Sequence, residues 1–565
     1  MIKVILVGIR MIISAIIAII AYRYTLIYNL HMFQLNGYKN KEHINWLKKY
    51  KKRQWVLGAA LVLGALDIAL PGAVTDIITL LWFFLIVVVY QALCGMSQKK
   101  PLVYTARVKR LVATVIVLDV ILLAASVAFF AWRGGLFRAL SENSAAFGRL
   151  LLYDTFYNGY YTVGRIDGLL LIIVGLKFIS CVIANILNKP VESGVNRHFI
   201  NDAKRKLKSY GPPVIIGVTG SYGKTSVKYY LGELLKVKYN VCITPESYNT
   251  PMGVVRTIRE HMKPGTEVFV CEMGARHVGD IKELCDLVHP DHGIITSIGP
   301  QHLETFFTMD NIINTKYELA DALPKEGMLF LNGDNEFVCG NSGKYANAIM
   351  YHGAGSGPDD KPDAGRKGYH AENVTLSPQG TFFDVITPQG ERESFRMSLI
   401  GSHNLENVVG AITVAHSMGI ALKDLKIPVR RLKSVPHRLE LKRQGGLNII
   451  DDAYNSNPAG SKAALDTLAM FDGTKIMITP GMVELGDKEE QYNYEFGAHA
   501  AEVCDHLLLV GRDRVEPIRR GALDKGKNCD IRVFAHFEEA FSYAVQLQCD
   551  TQKYILIEND LPDNY

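Results

Sequence analysis

The chain has no C-x-x-C pair, and its nine cysteines lack the spacing of a metal site. This pattern indicates reduced thiols facing the cytoplasm, with neither a disulfide framework nor a zinc site. The chain also has no internal repeat. Its formal net charge of +6 does not indicate nucleic acid, because the lysines and arginines cluster around apolar runs. A length of 565 residues exceeds one hydrophobic core, so two or more domains are expected.

Long apolar runs are scarce after residue 190, and almost all of them precede it. Each run approaches the roughly 20 residues that cross a bilayer, which predicts an all-α transmembrane domain over residues 1–190 with about five helices. The runs lie near 4–22, 55–71, 73–94, 108–131 and 166–187. The first is not a cleavable signal, because no small-residue cleavage site follows it. The second and third meet at Pro71-Gly72 as a hairpin or a re-entrant pair, and Asp67 and Asp76 leave both open.

Basic residues follow the first, third and fifth runs, which places these segments in the cytoplasm and the N-terminus and loop 132–165 outside. We therefore expect a multi-pass membrane protein whose soluble part faces the cytoplasm. The basic segment 23–54, which contains Trp46, has two interpretations. It is a topology signal that contacts anionic lipid, or it helps to hold a lipid-linked anionic substrate.

The remainder alternates strand-like and helical patterns, which predicts two α/β units over 191–426 and 427–565. Candidate strands of the first unit are 213–218, 267–271, 293–297 and 327–331, and those of the second are 447–451, 475–479, 506–510, 531–534 and 554–557. A β-rich stretch, a loop over 353–369 and a helix from about Asn404 complete the first unit. The second resembles a small doubly wound domain without a dinucleotide fingerprint.

A glycine-rich run follows the first of these strands, with the sequence Thr219-Gly220-Ser221-Tyr222-Gly223-Lys224-Thr225-Ser226. Glycines let the backbone curl around phosphate oxygens, and a helix N-terminus directs free N–H groups at them. Lys224 supplies a mobile cation, and the Thr225 hydroxyl can bind magnesium. The spacing departs from the strict phosphate loop, because Val218 replaces its first glycine. The run nevertheless predicts a nucleotide site.

The run 219–228 resembles the ATP loop of the Mur ligases, the amide-forming enzymes of peptidoglycan synthesis. Further ordered motifs extend the resemblance over about residues 210–550, and within the family it is most similar to the UDP-N-acetylmuramoyl-tripeptide–D-alanyl-D-alanine ligases. The further motifs are Cys271-Glu272-Met273-Gly274-Ala275, Gly299-Pro300-Gln301-His302, Lys316-Tyr317-Glu318-Leu319-Ala320, Asn332-Gly333-Asp334, His403-Asn404, Pro436-His437-Arg438 and Asp451-Asp452-Ala453-Tyr454. The resemblance implies a central ATPase domain and a C-terminal Rossmann-like domain, with membrane helices replacing the UDP-binding domain.

The resemblance also implies roles for individual residues. Glu272 would hold the magnesium that bridges the ATP phosphates, together with Thr225. His302 would bind a second magnesium, and Lys316 would be carbamylated and serve as an anionic metal ligand. Asn249 lies in the loop that reaches the reacting phosphate, where Lys224 also acts. Without the resemblance, Lys316 would pass as a helix-surface lysine and His302 as a structural histidine.

The nucleotide would be held between the two α/β units. Its phosphates would lie on Gly220, Ser221, Gly223, Lys224, Thr225 and Ser226. The amides of Asn332, Asn404 and Asn407, with His403, would line the adenine pocket, although Asn404 also suits a helix cap. Arg438 would approach phosphate and ribose, and Asp452 would accept from the ribose hydroxyls. Because Arg438 and Asp452 belong to the second unit, closure of the two units on the nucleotide should complete the site.

The expected function is ATP-dependent amide ligation in cell-envelope synthesis, through an acyl phosphate that an amine attacks. The partners would be ATP, an amino acid or dipeptide, and a carboxylate-bearing precursor that is UDP-linked or lipid-linked. Two departures leave the substrate open: the missing UDP-binding domain, and the ending Ile557-Glu558-Asn559-Asp560 instead of a Lys-Gly-Ser-Arg type ending. The alternatives are a poly-γ-glutamate-synthase-like or lipid-linked-polymer ligase and, as a different class, a membrane transport ATPase.

Overall fold

The computed structural model describes residues 2–70, 73–95, 101–133, 165–211, 213–346, 348–353, 368–444, 447–454, 456–511, 514–525 and 529–559. It divides into a helical unit up to Val195 and an α/β unit over Asn196–Leu561. The predicted outside loop, the Pro71-Gly72 turn and most of the predicted loop 353–369 lie outside the described residues.

Helices occupy the predicted apolar stretches of the first unit. They are α1 (Ile2–Leu35), α2 (Asn40–Lys49), α3 (Lys51–Ala69), α4 (Ala73–Gly95), α5 (Ala106–Arg133), α6 (Arg165–Gly175) and α7 (Lys177–Ser209). By length and composition, Ile12–Leu35 and Val74–Gly95 could each cross a membrane. The pair α6 and α7 is bent by 67° and could count as a third span. The number of five spans stays a prediction.

The acidic residues at the predicted hairpin are held by partners on other helices. Arg10 donates to Asp76 at 2.7 Å and to Asp167 at 3.1 Å, and Thr79 donates to Asp67 at 2.8 Å. Pairing lowers the cost of burying charges among apolar helices. These acids therefore join α1, α3, α4 and α6 into one packed bundle.

The first helix is longer than the apolar run predicted. It continues to Leu35, where a basic, tyrosine-containing segment was expected after residue 22. Tyr28 and Met32 are buried in a cluster that also contains Trp46 and Tyr90. Burial of one face thus extends the helix beyond its continuous apolar stretch.

The α/β unit contains two sheets. The strands of the first are β1 (Val214–Thr219), β2 (Val241–Ile243), β3 (Val268–Glu272), β4 (His292–Ile295), β5 (Leu329–Asn332), β6 (Ala348–His352), β7 (Tyr369–Ser377), β8 (Gly380–Ile386) and β9 (Arg392–Met397). Their spatial order is β2-β3-β1-β4-β5-β6-β7-β8-β9. The strands through β6 pair in parallel, and β7, β8 and β9 form antiparallel hairpins.

Helices cover this sheet. Because the strands through β6 are parallel, their carboxyl ends lie along one edge of the sheet. The helices are α8 (Lys224–Leu235), α9 (Pro251–Glu260), α10 (Asp280–Val288), α11 (Leu303–Phe306), α12 (Met309–Asp321), α13 (Glu336–Asn341), α14 (Ser402–Ser417) and α15 (Leu422–Arg431). Val218, Tyr230 and Leu405 share one buried core, in which α8 and α14 pack together against the sheet.

The second sheet has the order β10-β11-β15-β12-β13-β14. Its strands are β10 (Glu440–Gln444), β11 (Leu447–Asp452), β12 (Thr474–Thr479), β13 (His506–Val510), β14 (Asp530–Phe534) and β15 (Lys553–Glu558). The intervening helices are α16 (Pro458–Ala469), α17 (Glu489–Val503), α18 (Glu516–Asp524) and α19 (Phe537–Gln546). Strands β11 to β15 pair in parallel as predicted, and only the edge pair β10–β11 is antiparallel within the described sheet.

Candidate active site

The glycine-rich turn lies between β1 and α8 and depends on two glycines. Gly220 has φ +150° and Gly223 has φ +78°, a region that favours glycine. A Cβ atom on Gly220 would lie 2.1 Å from Thr296 Oγ1, and one on Gly223 would lie 2.4 Å from Asn407 Oδ1. The turn therefore has room for backbone alone. The first N–H groups of α8, at Lys224, Thr225 and Ser226, face this turn without intrahelical acceptors and form with it a cradle that suits an anion.

Two further polar residues of the turn are fixed by hydrogen bonds or buried. The backbone N–H of Ser221 donates to Ser297 O at 2.6 Å, and its hydroxyl donates to Gly299 O at 3.0 Å. Ser226 is buried in the first turn of α8. The Lys224 ammonium donates to the carbonyls of Gly220 at 2.8 Å and Ser221 at 2.9 Å. Desolvation lowers the pKa of Lys224 to about 8.

Glu272 ends β3 beside the turn and is buried with three donors. Its Oε1 accepts from Thr225 Oγ1 at 3.1 Å and from Asn249 Nδ2 at 3.0 Å, and its Oε2 accepts from Lys228 Nζ at 2.8 Å. Burial acts to raise the pKa of Glu272, but the charges of Lys228 and Lys224 outweigh it and the pKa is lowered. The carboxylate is thus held ionised and oriented at the strand end.

Helix α14 brings the predicted base-binding residues to the same edge. Asn404 is buried, accepts from Tyr230 at 2.8 Å and donates to Ile400 O at 2.9 Å. Its amide therefore joins α14 to α8, a structural role. His403 precedes it, and burial lowers the pKa of His403 to about 4. The imidazole is neutral at ordinary pH.

Asn332 ends β5 next to an acidic residue that sequence reasoning missed. Its Nδ2 donates to Ser297 Oγ at 3.1 Å and to Glu406 Oε2 at 3.4 Å. Burial, with the charge of Asp334, raises the pKa of Glu406 to about 7. Glu406 lies one residue before Asn407 in α14. The sequence of this helix gave no signal that the Glu406 side chain would face β5.

Lys316 lies in α12, buried and without a counterion. The ammonium forms no hydrogen bond or ion pair with the part of the chain that the structure describes. The nearby acids Asp280 and Glu318 accept instead from backbone N–H groups of residues 276, 277, 279 and 282. Desolvation, with the charge of Lys224, lowers the pKa of Lys316 well below its ordinary value. The site thus holds two lysine side chains, Lys224 and Lys316, with no acid bonded to either among the described residues.

His302 immediately precedes α11 and is bonded to Glu484, which lies in the loop after β12 of the second sheet. Its Nδ1 shares a hydrogen bond with Glu484 Oε2, and Leu303 N donates to Glu484 O at 3.1 Å. Arg276 Nη2 lies 3.6 Å from Glu484 Oε1. Sequence reasoning gave Glu484 no role, and nothing local indicated this contact.

Arg438 and Asp452 come from the chain around the second sheet. The Arg438 guanidinium lies 4.4 Å from the Tyr454 ring centroid, and its charge reaches Lys224 and His403. Asp452 accepts from Leu439 N at 3.0 Å. It lies beside Glu558 on the adjacent strand, and burial raises its pKa to about 6. The expected ribose acceptor is thus occupied by neighbouring groups.

Sequence profiles identify the family of this α/β unit. The profile of the Mur ligase middle domain matches residues 218–415, and that of the Mur ligase glutamate ligase domain matches residues 437–558. Together the two profiles cover more than half of the chain. The chain belongs to the Mur ligase family.

Individual relatives agree with this assignment. The UDP-N-acetylmuramoyl-tripeptide–D-alanyl-D-alanine ligase of Bacillus subtilis (strain 168) is 34% identical over 314 residues, which are 55% of this chain and 65% of that enzyme. The enzyme of the same name from Escherichia coli (strain K12) is 29% identical over 338 residues, 58% of this chain and 73% of its own length. The chain thus spans about two thirds of the length of these relatives.

Solved structures share the fold. The crystal structure of MurF from Acinetobacter baumannii superposes with a TM-score of 0.57 at 26% identity, over 65% of this chain and 77% of that one. MurF from Thermotoga maritima, solved in complex with ADP, has a TM-score of 0.56 at 24% identity over 65% and 80%. The Mur ligase fold of the middle domain (218–415) and C-terminal domain (437–558) is therefore confirmed.

The residues of the Mur ligase middle domain suit a magnesium nucleotide. Thr225 and Glu272 place a hydroxyl and a carboxylate next to the cradle, and magnesium prefers oxygen donors. No group of three or more His, Cys, Asp or Glu side chains suited to a metal occurs among the described residues. Further ligands can come from the nucleotide, from water, from His302 or from a modified lysine.

Proposed function

We propose that this chain is an ATP-dependent carboxylate–amine ligase that acts through an acyl phosphate. The observation that carries the proposal is the arrangement at one strand edge of a glycine cradle, the oriented Glu272 and two lysines with no acid of the described chain bonded to them. An anionic polyphosphate would compensate the charge of Lys224, and a tightly folded glycine turn admits phosphate oxygens where side chains would collide.

The protein's part in this reaction is to position and neutralise. The loop N–H groups would bind the phosphates, and Lys224 would leave its two carbonyl partners to follow the transferred group. Bound magnesium would supply charge neutralisation between the phosphates, held by Thr225 and Glu272. The substrate carboxylate attacks the γ-phosphorus, ADP leaves, and the amine then displaces phosphate from the acyl phosphate. Oriented donors of this kind supply most of the catalysis in phosphoryl transfer.

The modification of Lys316 is part of the proposal. A buried lysine without a counterion, whose pKa is well below its ordinary value, has the neutral amine that reacts with carbon dioxide. The carbamate would be an anionic oxygen ligand between Lys224 and His302, whose charges both couple electrostatically to Lys316. It would serve a second magnesium, as the family resemblance implies.

We assign positions to the base and the ribose of the nucleotide from the residues that would surround each of them. We place adenine between Asn332, His403 and Asn407, and the ribose and phosphates near Arg438 and Asp452. Asn249 would turn from Glu272 toward the reacting phosphate. Asn404 supports the pocket by joining α8 and α14.

The substrates of the relatives suggest those of this chain. The Bacillus subtilis and Escherichia coli enzymes are named for ligating D-alanyl-D-alanine to a UDP-N-acetylmuramoyl-tripeptide. We propose a cell-envelope carboxylate as acceptor and an amino acid or dipeptide as amine. The apolar helices that precede the Mur ligase domains favour a lipid-linked acceptor, used at the cytoplasmic face of a bacterial cell membrane by a multi-pass protein.

Product analysis tests the proposal. Membranes containing the full chain would receive ATP, magnesium and a mixture of amino acids and dipeptides, followed by mass spectrometry. We expect a new amide and equimolar ADP, both absent with Lys224→Met. Equal ATP hydrolysis with and without amine, and no amide product, would contradict a ligase and favour a transport ATPase.

A further inference from the structure

One contact joins the middle domain to the C-terminal domain through both side chain and backbone. Glu484 lies between β12 and α17, and His302 lies between β4 and α11. The Glu484 carboxylate bonds His302 Nδ1, and the Glu484 carbonyl accepts from Leu303 N at 3.1 Å. Arg276 lies 3.6 Å from the other carboxylate oxygen. The carboxylate is therefore oriented from two sides.

The backbone on both sides of this contact is strained. His302 has φ +54° and Glu484 has φ +64°, and Phe307 at the end of α11 has φ +67°. Residues other than glycine rarely adopt this left-handed region, because it brings their Cβ atom too close to the backbone. Strain of this kind persists where surrounding contacts over-determine the conformation, and it clusters at functional sites.

The contact decides which imidazole nitrogen has a free lone pair. An ionised carboxylate only accepts hydrogen bonds, so the Nδ1 of His302 must carry the proton. In a neutral ring, Nε2 is then unprotonated and can bind a metal ion. A carboxylate that accepts from the second nitrogen is the usual support of a metal-binding histidine.

We propose that Glu484 is a positioning residue that fixes His302 with Nε2 ready to bind the divalent cation of the nucleotide. The carboxylate comes from the C-terminal domain, so the metal-binding tautomer forms only while the two domains are in contact. Domain closure and metal binding are thereby coupled. The inference rests on the proposed function in one respect, that a divalent cation accompanies the nucleotide next to His302.

A metal-binding measurement without turnover tests the inference. Full-length protein in nanodiscs would be titrated with Mn²⁺ in the presence of a non-hydrolysable ATP analogue, and free Mn²⁺ would be read by electron paramagnetic resonance. We expect Glu484→Leu to weaken Mn²⁺ binding by about 10- to 100-fold. Glu484→Gln, whose amide oxygen still accepts from Nδ1, should recover most of the affinity.

Electron spin-echo modulation gives a second readout. With ¹⁵N-labelled histidine, bound Mn²⁺ should show an imidazole nitrogen coupling that His302→Gln abolishes and Glu484→Leu weakens. The matched control is Tyr454→Phe, which removes a different hydrogen bond between the domains, to Ser247, and should leave Mn²⁺ affinity unchanged. If Tyr454→Phe weakens Mn²⁺ binding as much as Glu484→Leu, Glu484 acts only as a latch and the inference fails.

The outcomes separate the inference from the proposed function. Wild-type Mn²⁺ affinity and nitrogen coupling in folded Glu484→Leu would overturn the inference while leaving ligation intact. An imidazole coupling that depends on Glu484, in a protein that forms no amide, would uphold the inference and contradict the ligase. Absence of any imidazole coupling in the wild type would contradict the metal role of His302 whatever the reaction.

Discussion

Both domains of the α/β unit bury ionisable groups at the edges of their sheets, but the middle domain buries two lysines with no acid bonded to them in the described part of the chain and the C-terminal domain buries a pair of neighbouring acids. Lys316 has no counterion among the described residues, and Lys224 is bonded only to carbonyls. Asp452 and Glu558 instead lie side by side on β11 and β15, and burial raises the pKa of each.

This difference indicates which of the two domains has a charge left for a ligand to compensate. Neighbouring acids can share a proton, so the C-terminal pair satisfies itself, and Ser456 donates to Glu558 at 2.6 Å. In the middle domain, the charge of Lys224 has no acid bonded to it among the described side chains and is left for an anion to compensate. The C-terminal pair needs no such ligand. Four experiments sharpen or break this comparison, from the largest expected effect to the smallest.

Removing the mobile cation should have the largest effect. Lys224→Met leaves the developing phosphate charge without its ammonium, and we expect ATP-dependent turnover to fall by about 10³-fold or more. Steady-state kinetics would measure it. The control is Lys236→Met, an exposed lysine at the end of α8 that pairs with Glu233. Turnover of Lys224→Met within tenfold of wild type would show that the cradle does not need its cation.

Replacing the uncompensated lysine should come next. Lys316→Met removes the proposed carbamate, and we expect about a 10²-fold loss of turnover. Lys316→Glu supplies a carboxylate directly, so it should recover part of the activity and lose any dependence on bicarbonate. Wild-type turnover that is unchanged after carbon dioxide is removed, with no added mass on Lys316, would contradict the modification.

Adding a side chain within the cradle should weaken nucleotide binding more than backbone strain alone explains. Gly223→Ala forces φ +78° on alanine and places its Cβ 2.4 Å from Asn407 Oδ1. Gly390→Ala is the control, because φ is +85° there but nothing lies within 4 Å. We expect both to lose about 1–2 kcal/mol in unfolding free energy from strain. Only Gly223→Ala should also lose ADP affinity, as measured by calorimetry. Equal ADP affinities of the two variants would contradict the predicted collision with Asn407.

The acid pair should give the smallest effect, a pH dependence of stability. The folded-state pKa of Asp452 is about 6, above its ordinary value of 3.8. Its contribution to stability is therefore complete below about pH 3.8 and lost as the pH rises through about 6. We expect the melting temperature of the C-terminal domain to fall by several degrees across this range. Glu558→Gln should flatten the fall, and an unchanged slope would mean that the acids do not share a proton.

The sequence was informative where chemistry is local. The glycine turn, the Glu272 strand end and the parallel strands follow patterns a few residues long, and the structure brings them together as predicted. Glu406, Glu484 and Glu558 were not assigned roles, because their partners are distant in the chain or on another domain. The antiparallel strands β7 to β9 were foreseen only as a β-rich stretch with turns.

The cysteines leave a practical opening for spectroscopy. The thiols of Cys271 and Cys504 are buried and their pKa values are raised, so they will resist alkylation. Cys339, in the short helix after β5, is the exposed cysteine among the described residues. A maleimide fluorophore will therefore attach there first, and the unmutated protein can carry a dye near the proposed adenine pocket.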